Sequence, residues 1–377
     1  MKRIIGIIRP LFLQPFTLKG SLLSKKRFKT FFLTFSDAFI FILNSHQIYK
    51  KEERILVPNF FCIETLNFIG RHLEIVFYKT NDDLSIDKND YFQQIEKYRP
   101  RIILNYAFLG FSLTPEERQR LNSLSDDKTI IIEDCAHRIL SDSDISPIHH
   151  NHFYIDSIRK HCSLLGSHVI NFESQYDTGG VKSIDWCKIK SQFLYLVYQV
   201  LVFFSYFFCS VKIFSAAEKI FDSFDLVIDK TSREPLSGSW LSFHIYNLID
   251  FRRIIRHNKS IIMKLNKHLS GLNSQYIETL PAELLENSSL VNYYPVFIKE
   301  EIQHKFEECM SKSKIFPWRL WNLIESPYLS QLNKKLYTSF FVFPIHWLIS
   351  DRELERICSE VGNFFEGQEV LTSTFYN

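Results

Sequence analysis

The sequence predicts an α/β fold: a large domain with a mostly parallel, doubly wound sheet, followed by a smaller α+β domain. Three observations carry this. Runs such as "RIILNY" and "TIIIED" are continuously apolar, the mark of strands covered on both faces. They alternate with helical stretches of about ten residues, the pattern of parallel strands joined by crossover helices. Near residue 230 the texture turns polar and rich in turn residues, which places a boundary there, with a large domain over 1–230 and a small one over 231–377.

In order along the chain, Ala38, Phe39, Phe41, Ile42 and Leu43 suit a buried helix over 36–51, with Ser36 or Asp37 as its N-cap. "RILVPNFF" reads as a short strand closed by a proline, "IETLNFIGRHL" as a helix, and "LEIVFYKT", "RPRIILNYAF" and "KTIIIEDCAH" as further strands. Beyond "DKTSREPLSGSW" a long basic helical stretch runs from about Leu241 to Leu269. "YYPVFI" and "SFFVFPIH" are strands, "EEIQHKFEECMSKS" is a helix, and "SDRELERICSEVGNFF" is a helix opened by a capping box from Ser350 to Glu353.

Composition excludes several classes. With 46 % hydrophobic and 23 % charged residues in 377, the chain folds into a globule with a large core. A net charge of +3, with bases mixed among acids, leaves no footprint for nucleic acid. The cluster Lys25, Lys26, Arg27 and Lys29 reads as a solvated patch. Seven cysteines, odd in number and without a CxxC pair, argue against a disulfide framework and against a thiolate zinc site, and no metal is expected. Arg9 and Pro10 interrupt the opening apolar run, so no secretory signal is expected and the cytoplasm is the expected location.

One segment stands apart. "SQFLYLVYQVLVFFSYFFCSV" carries no charge over 21 residues, about the length that crosses a bilayer. Gln192, Tyr195, Gln199, Tyr206 and Ser210 recur at helical spacing and give the helix, over about 192–211, one wetter stripe. Three readings stay open: a helix in the core or a subunit interface, a helix lying peripherally on the inner membrane face, or a span. If both halves of the chain build one fold, a span is excluded.

The chemistry-bearing residues lie between these elements. Asp134 closes the strand "TIIIED", and Lys160 follows 26 residues later in "SIRK". Ligands of such folds sit at the carboxyl ends of the strands. An acid there can hold a pyridine nitrogen protonated while a lysine on the next loop reaches an aldehyde, which is the division of labour that pyridoxal phosphate requires. The spacing also suits a solvated lysine and an acid capping the following helix.

The motifs "EDCAH" and "SIRK", set among "RILVPNFFCIETLNFIG", "RPRIILNYAFLGF", "SREPLSGSW" and "FPIHWLISDRELERI", resemble the DegT/DnrJ/EryC1/StrS aminotransferases, the sugar-modifying branch of fold-type I pyridoxal phosphate enzymes. The likeness runs from about residue 30 to residue 362. It implies that Lys160 is the Schiff-base lysine and Asp134 the partner of the ring nitrogen, with His137 near the ring's phenolic oxygen. It implies further that Ser157 binds the phosphate and that Phe60 or Phe61 covers the ring. Ser36 falls in the phosphate loop. Without the resemblance, each phenylalanine suits core packing, His137 a structural role, and Ser157 a turn cap.

Two departures accompany the likeness. Where the family carries a glycine in the phosphate loop, this chain reads "FSDAF", and Asp37 brings a carboxylate toward a dianion. Two unit charges about 4 Å apart repel by roughly 1 to 4 kcal/mol, so Asp37 must point away or phosphate binding suffers. Where relatives continue to an Asp-Gly-Gly turn, the chain has "LLGSHVI", and His168 reads as a surface-loop histidine. The resemblance implies a homodimeric aminotransferase that passes an amino group from a donor such as glutamate to a keto-sugar nucleotide, for polysaccharide or antibiotic-sugar synthesis. The altered phosphate loop keeps a second reading open, a noncatalytic binding or scaffold protein at a membrane. A dehydratase, which in this family replaces the lysine with histidine, is disfavoured by Lys160.

Overall fold

The structure is a computed structural model that describes residues 14–17, 22, 28–48, 52–106, 113–162, 164–171, 181, 186–228, 234–272, 276–288 and 292–375. The basic cluster at 25–27 lies outside the described residues. Among the described residues, one seven-stranded sheet is built from β1 (Phe28–Phe32), β2 (Arg54–Pro58), β3 (Glu74–Tyr78), β4 (Ile102–Tyr106), β5 (Ile130–Cys135), β6 (His152–Asp156) and β7 (Ser167–Asn171). Its order is β1-β7-β6-β5-β4-β2-β3. Strands β2 to β6 run parallel; β7 is antiparallel to β6, and β1 is antiparallel to β7.

The alternation of side chains explains why both faces are covered. Ile55, Val57, Ile102, Leu104, Ile130 and Ile132 face one core. Leu56, Ile103 and Ile131 face the other, against helices α3 (Lys88–Tyr98) and α4 (Pro115–Leu124). A sheet buried on both faces needs apolar residues at consecutive positions, which is what the sequence supplies. Helix α1 (Phe35–Ser45) packs on β1, β6 and β7, and the short α2 (Ile63–Ile69) follows β2.

The second sheet is antiparallel, with β8 (Ile277–Thr279), β9 (Tyr293–Ile298), β10 (Trp318–Arg319) and β11 (Phe340–Pro344) in the order β10-β11-β9-β8. Residue 230 falls between the last strand of the first sheet and the first of the second. A single hydrophobic cluster runs unbroken from Ile132 and Leu104 to Val296 and Phe341.

Several elements differ from the sequence reading. The long helical stretch is two helices, α7 (Trp240–Tyr246) and α8 (Phe251–Leu269), because Asp250 accepts from the Arg253 N–H at 3.1 Å and starts α8 afresh. The apolar helix begins earlier than residue 192 and ends before 211: α5 spans Trp186–Phe208, Cys209 turns the chain at φ 51°, and α6 (Val211–Ile228) folds back along it. The remaining helices are α9 (Ala282–Asn287), α10 (Glu300–Lys312), α11 (Lys334–Ser339) and α12 (Asp351–Phe375). The Ser350–Glu353 capping box opens α12 as expected, the Ser350 N–H donating to Glu353 Oε2 at 2.9 Å and the Glu353 N–H to Ser350 Oγ at 3.3 Å.

Candidate active site

The carboxyl ends of β2, β4, β5 and β6 converge, as open α/β sheets dictate for a binding crevice. Asp134 is the fifth residue of β5 and is 4 % exposed. Its Oδ1 accepts from the Ala136 N–H at 2.9 Å. Burial pushes its carboxyl up to about 7 from an ordinary 3.8, against the opposing pull of the Ala136 N–H and of the positive charge of Lys160. The two residues named from the sequence therefore sense each other across the strand ends.

Lys160 is half-buried in a 3-10 turn, Ile158–Lys160, directly after β6. The turn is fixed by the Ile158 N–H to the Gly166 carbonyl (2.9 Å), the Lys160 N–H to the Ser157 carbonyl (3.0 Å), and the Asn292 amide donating to His161 Nδ1 (2.5 Å). Ser157 is buried at the head of the turn, but its hydroxyl does not cap it, so the capping role open to it in the sequence is not the one it plays.

Opposite lies an aromatic wall, of which the sequence pointed to Phe60, Phe61 and His137 but not to Tyr106, Tyr293 or Trp321. Trp321 centres 5.4 Å from Tyr106 at the end of β4, 6.2 Å from His137, 4.7 Å from Phe60 and 6.2 Å from Phe61. Tyr293 of β9 stands 5.4 Å from His137, which is 4 % exposed. Burial raises the Tyr106 phenol well above its usual range, and the Asp134 charge adds to this, which places the two side by side. Phe60 and Phe61 are placed differently. Phe60 also packs on Tyr337 and Phe340 of the second sheet's surroundings, whereas Phe61 lies edge-on to Tyr106 at 5.3 Å, nearer the carboxyl group. Tyr106, Tyr293 and Trp321 carry no short-range signal, since only folding brings them beside "EDCAH".

Ser36 sits in the first turn of α1, but neither it nor Asp37 is the cap. Thr34 is, its hydroxyl oxygen accepting from the Asp37 N–H at 3.2 Å. The Asp37 carboxylate is 0 % exposed and both its oxygens are engaged, Oδ2 by the Thr34 hydroxyl (2.6 Å) and Oδ1 by the Leu236 N–H (3.0 Å). Burial pushes it up to about 6, opposed by those bonds and by Lys188. The carboxylate is thus spent on holding the chain at 236 rather than aimed outward.

His168 is corrected outright. It lies in β7, fully buried, with Nδ1 2.9 Å from Asp156 Oδ2 and its backbone N–H donating to Asp156 Oδ1 at 2.6 Å. No tight turn is needed where the family has its glycines, because the chain enters a strand. Gly166 instead makes room for the Phe31 ring, whose Cζ would stand 2.1 Å from an added Cβ.

This fold and this convergence of acid, lysine and aromatic groups define a class of architecture, and comparison with solved structures assigns it. No protein-family model and no curated protein matches the sequence. Spr1654 of Streptococcus pneumoniae, assigned as a sugar aminotransferase and solved in its PMP form, superposes with TM-score 0.61 at 13 % identity, covering 92 % of this chain and 88 % of that one. NtdA of Bacillus subtilis with bound cofactor PMP gives 0.61 at 13 %, covering 90 % and 74 %. A DegT DnrJ EryC1 StrS aminotransferase of Brucella abortus gives 0.56 at 12 %, covering 89 % and 86 %. The chain shares the fold of these aminotransferases, two-sheet architecture included.

Proposed function

We propose that the chain is a pyridoxal-phosphate-dependent aminotransferase. Its substrate in this reading is a keto sugar carried on a nucleotide, its amino donor glutamate or a similar amino acid, and its setting a cytoplasmic homodimer that makes amino sugars for polysaccharide or antibiotic assembly. The neighbours of the same fold, two of them holding PMP, support it. One observation carries it: the charge of Lys160 reaches the buried carboxyl of Asp134 at the carboxyl ends of β5 and β6.

The residues fit the cofactor by the chemistry of that pair. A carboxyl that burial holds near 7 is costly to ionise alone and cheap to ionise against a cation, so a protonated ring nitrogen is the partner it suits. Bound there, pyridoxal phosphate supplies an electron sink for breaking the C–H bond next to the transferred nitrogen. Asp134 holds the ring N–H. Lys160, once it has lost its proton, would take the proton from the donor's α carbon as a general base. The wall of Tyr106, Phe61, His137 and Trp321 keeps water from the reacting carbon, and Ser157 donates to the phosphate.

The test is the absorption spectrum of purified protein with added pyridoxal phosphate. A visible band is expected that glutamate bleaches, and it should be missing from Lys160→Ala and weakened in affinity by Asp134→Asn. A noncatalytic scaffold is the second reading, favoured by the α1 N-terminus, where Thr34 already occupies one amide and Ser36 stands in place of the family's glycine. Absence of any band at saturating cofactor would put that reading in first place.

A further inference from the structure

The apolar helix α5 is amphipathic in the wrong sense for a protein in water. Its polar members Ser191, Gln199 and Ser205 face the protein and are buried. The wetter stripe read from the sequence is therefore the inner one. Outward, Trp186 (76 % exposed), Ile189, Phe193 (64 %), Leu196, Val200, Phe204 and Phe207 (69 %) form a continuous stripe at spacings of three and four. Between Lys190 and Lys212 every fully exposed residue is Phe, Leu or Val.

The stripe cannot turn inward by a small shift, because the α5–α6 hairpin is fixed at both ends and the middle. Lys188 Nζ donates to Ser237 Oγ at 3.1 Å at the base. The Arg159 guanidinium lies 5.6 Å from the Phe221 ring in α6. Lys314 Nζ donates to the Cys209 carbonyl at 2.9 Å, and Phe214 stacks near Phe316 at 5.1 Å, at the tip.

Charge completes the surface. No acid occurs from residue 186 to residue 217, while the exposed Lys190 and Lys212 bracket the part of the stripe from Phe193 to Phe207. Beside the tip, Tyr206 of α5 walls a groove of about 790 Å³ lined by Arg253, Arg256 and His257 of α8 and by Trp347. Arg253 and Arg256 are exposed, and of the acids just after the groove-lining Ser350, Asp351 is paired with Lys264 at 2.6 Å and Glu353 is turned onto Ser350.

We propose that this face docks on an anionic phospholipid bilayer. The α5 stripe enters the acyl boundary, the lysines meet headgroups, and the arginine groove receives a lipid phosphate. A helix with apolar aromatics on one side and basic residues at its margins has the character of an interfacial anchor. A second copy of the chain fits less well, since protein interfaces carry about one hydrogen bond per 100–200 Å² and the stripe from Phe193 to Phe207 offers no side-chain donor or acceptor over roughly 20 Å of helix. The charged face of α6, with Glu218, Lys219 and Asp222 exposed, keeps the hairpin from inserting as a pair of spans. This inference is independent of the aminotransferase reading.

The experiment is flotation of the full chain with vesicles of phosphatidylcholine, alone or mixed with phosphatidylglycerol. Floating with the mixed vesicles is expected, with at least about a tenfold lower partition onto phosphatidylcholine alone and a similar loss for Arg253→Glu/Arg256→Glu. Phe193→Ser/Phe207→Ser should lose binding to both. Quenching of tryptophan fluorescence by brominated lipid in the unmodified protein reads the same contact without a variant. No flotation with the mixed vesicles, or flotation unaffected by Phe193→Ser/Phe207→Ser, overturns the proposal. So does a dimer that the same pair of substitutions dissociates in the absence of any lipid binding, which would make a second copy the occupant.

Discussion

Asp134 is the residue where structure and chemistry meet most closely, and its protonation makes a prediction about stability. Its folded value of about 7 lies above its ordinary 3.8, so the folded apo protein holds this proton more tightly than the unfolded chain does. The associated stability is fully present below about pH 4 and is lost as pH rises toward 7. Asp37, pushed up to about 6 by burial, acts in the same direction. His46, pushed down to about 4 by burial, acts in the opposite one. The difference between Asp134→Asn and the wild type isolates the single group. Urea unfolding of the apo proteins should show near equality at pH 4 and a gain for Asp134→Asn at pH 8 of up to roughly 4 kcal/mol. A constant difference across that range would contradict the burial that sets the value. The sequence drew attention to Asp134 and Lys160 because "EDCAH" closes a strand and "SIRK" follows one. Asp37 was legible as an anomaly but not as a solution, since its partner at Leu236 is supplied by a distant part of the chain.

At the scale of elements, β1 and β7 show why part of the sheet was missed. "SHVIN" has two polar residues among its first positions and reads as a loop. It is nevertheless a strand, because the Asp156 carboxylate satisfies His168 and the Asp156 carbonyl satisfies Ser167, at 2.5 Å. Buried polar groups are tolerated when paired, and the pairing partner sits on the neighbouring strand, where no local pattern reveals it. The apolar strands β4 and β5 needed no such partner and were readable directly. The packing of β1 makes a further prediction. The Phe31 ring is held between Gly166 and Gly238, where an added Cβ would stand 2.1 Å and 2.3 Å from ring atoms, and at Gly238 also 2.8 Å from the Phe32 carbonyl. Gly166→Ala and Gly238→Ala should each cost about 1–3 kcal/mol as overpacking, read as a lower urea midpoint, with Gly238→Ala the worse because a backbone atom cannot swing away.

For the whole molecule, the shared core between the sheets fixes how the crevice is walled. The Tyr337 hydroxyl, from α11, accepts from the Phe61 N–H at 2.9 Å and donates to the Phe61 carbonyl, pinning the loop after β2. Removing it leaves two buried backbone groups unsatisfied. Tyr337→Phe should lower stability by about 2 kcal/mol in urea unfolding and should also weaken cofactor affinity in a spectral titration, whereas a purely local role would leave that titration unchanged. That a large, mostly parallel sheet is followed by a smaller second one was readable from the strand patterns along the chain. The contacts that join the parts were not, because they link positions hundreds of residues apart.

That grip by Tyr337 has an implication for biosynthesis. Asp134 and Lys160 leave the ribosome with Phe61, Tyr106 and His137, yet Tyr293, Trp321 and Tyr337, which complete the wall around them, are among the later residues translated. A nascent chain therefore carries the Lys160 amine well before it has a wall to enclose it, and the enclosure is complete only when the carboxyl-terminal portion folds back.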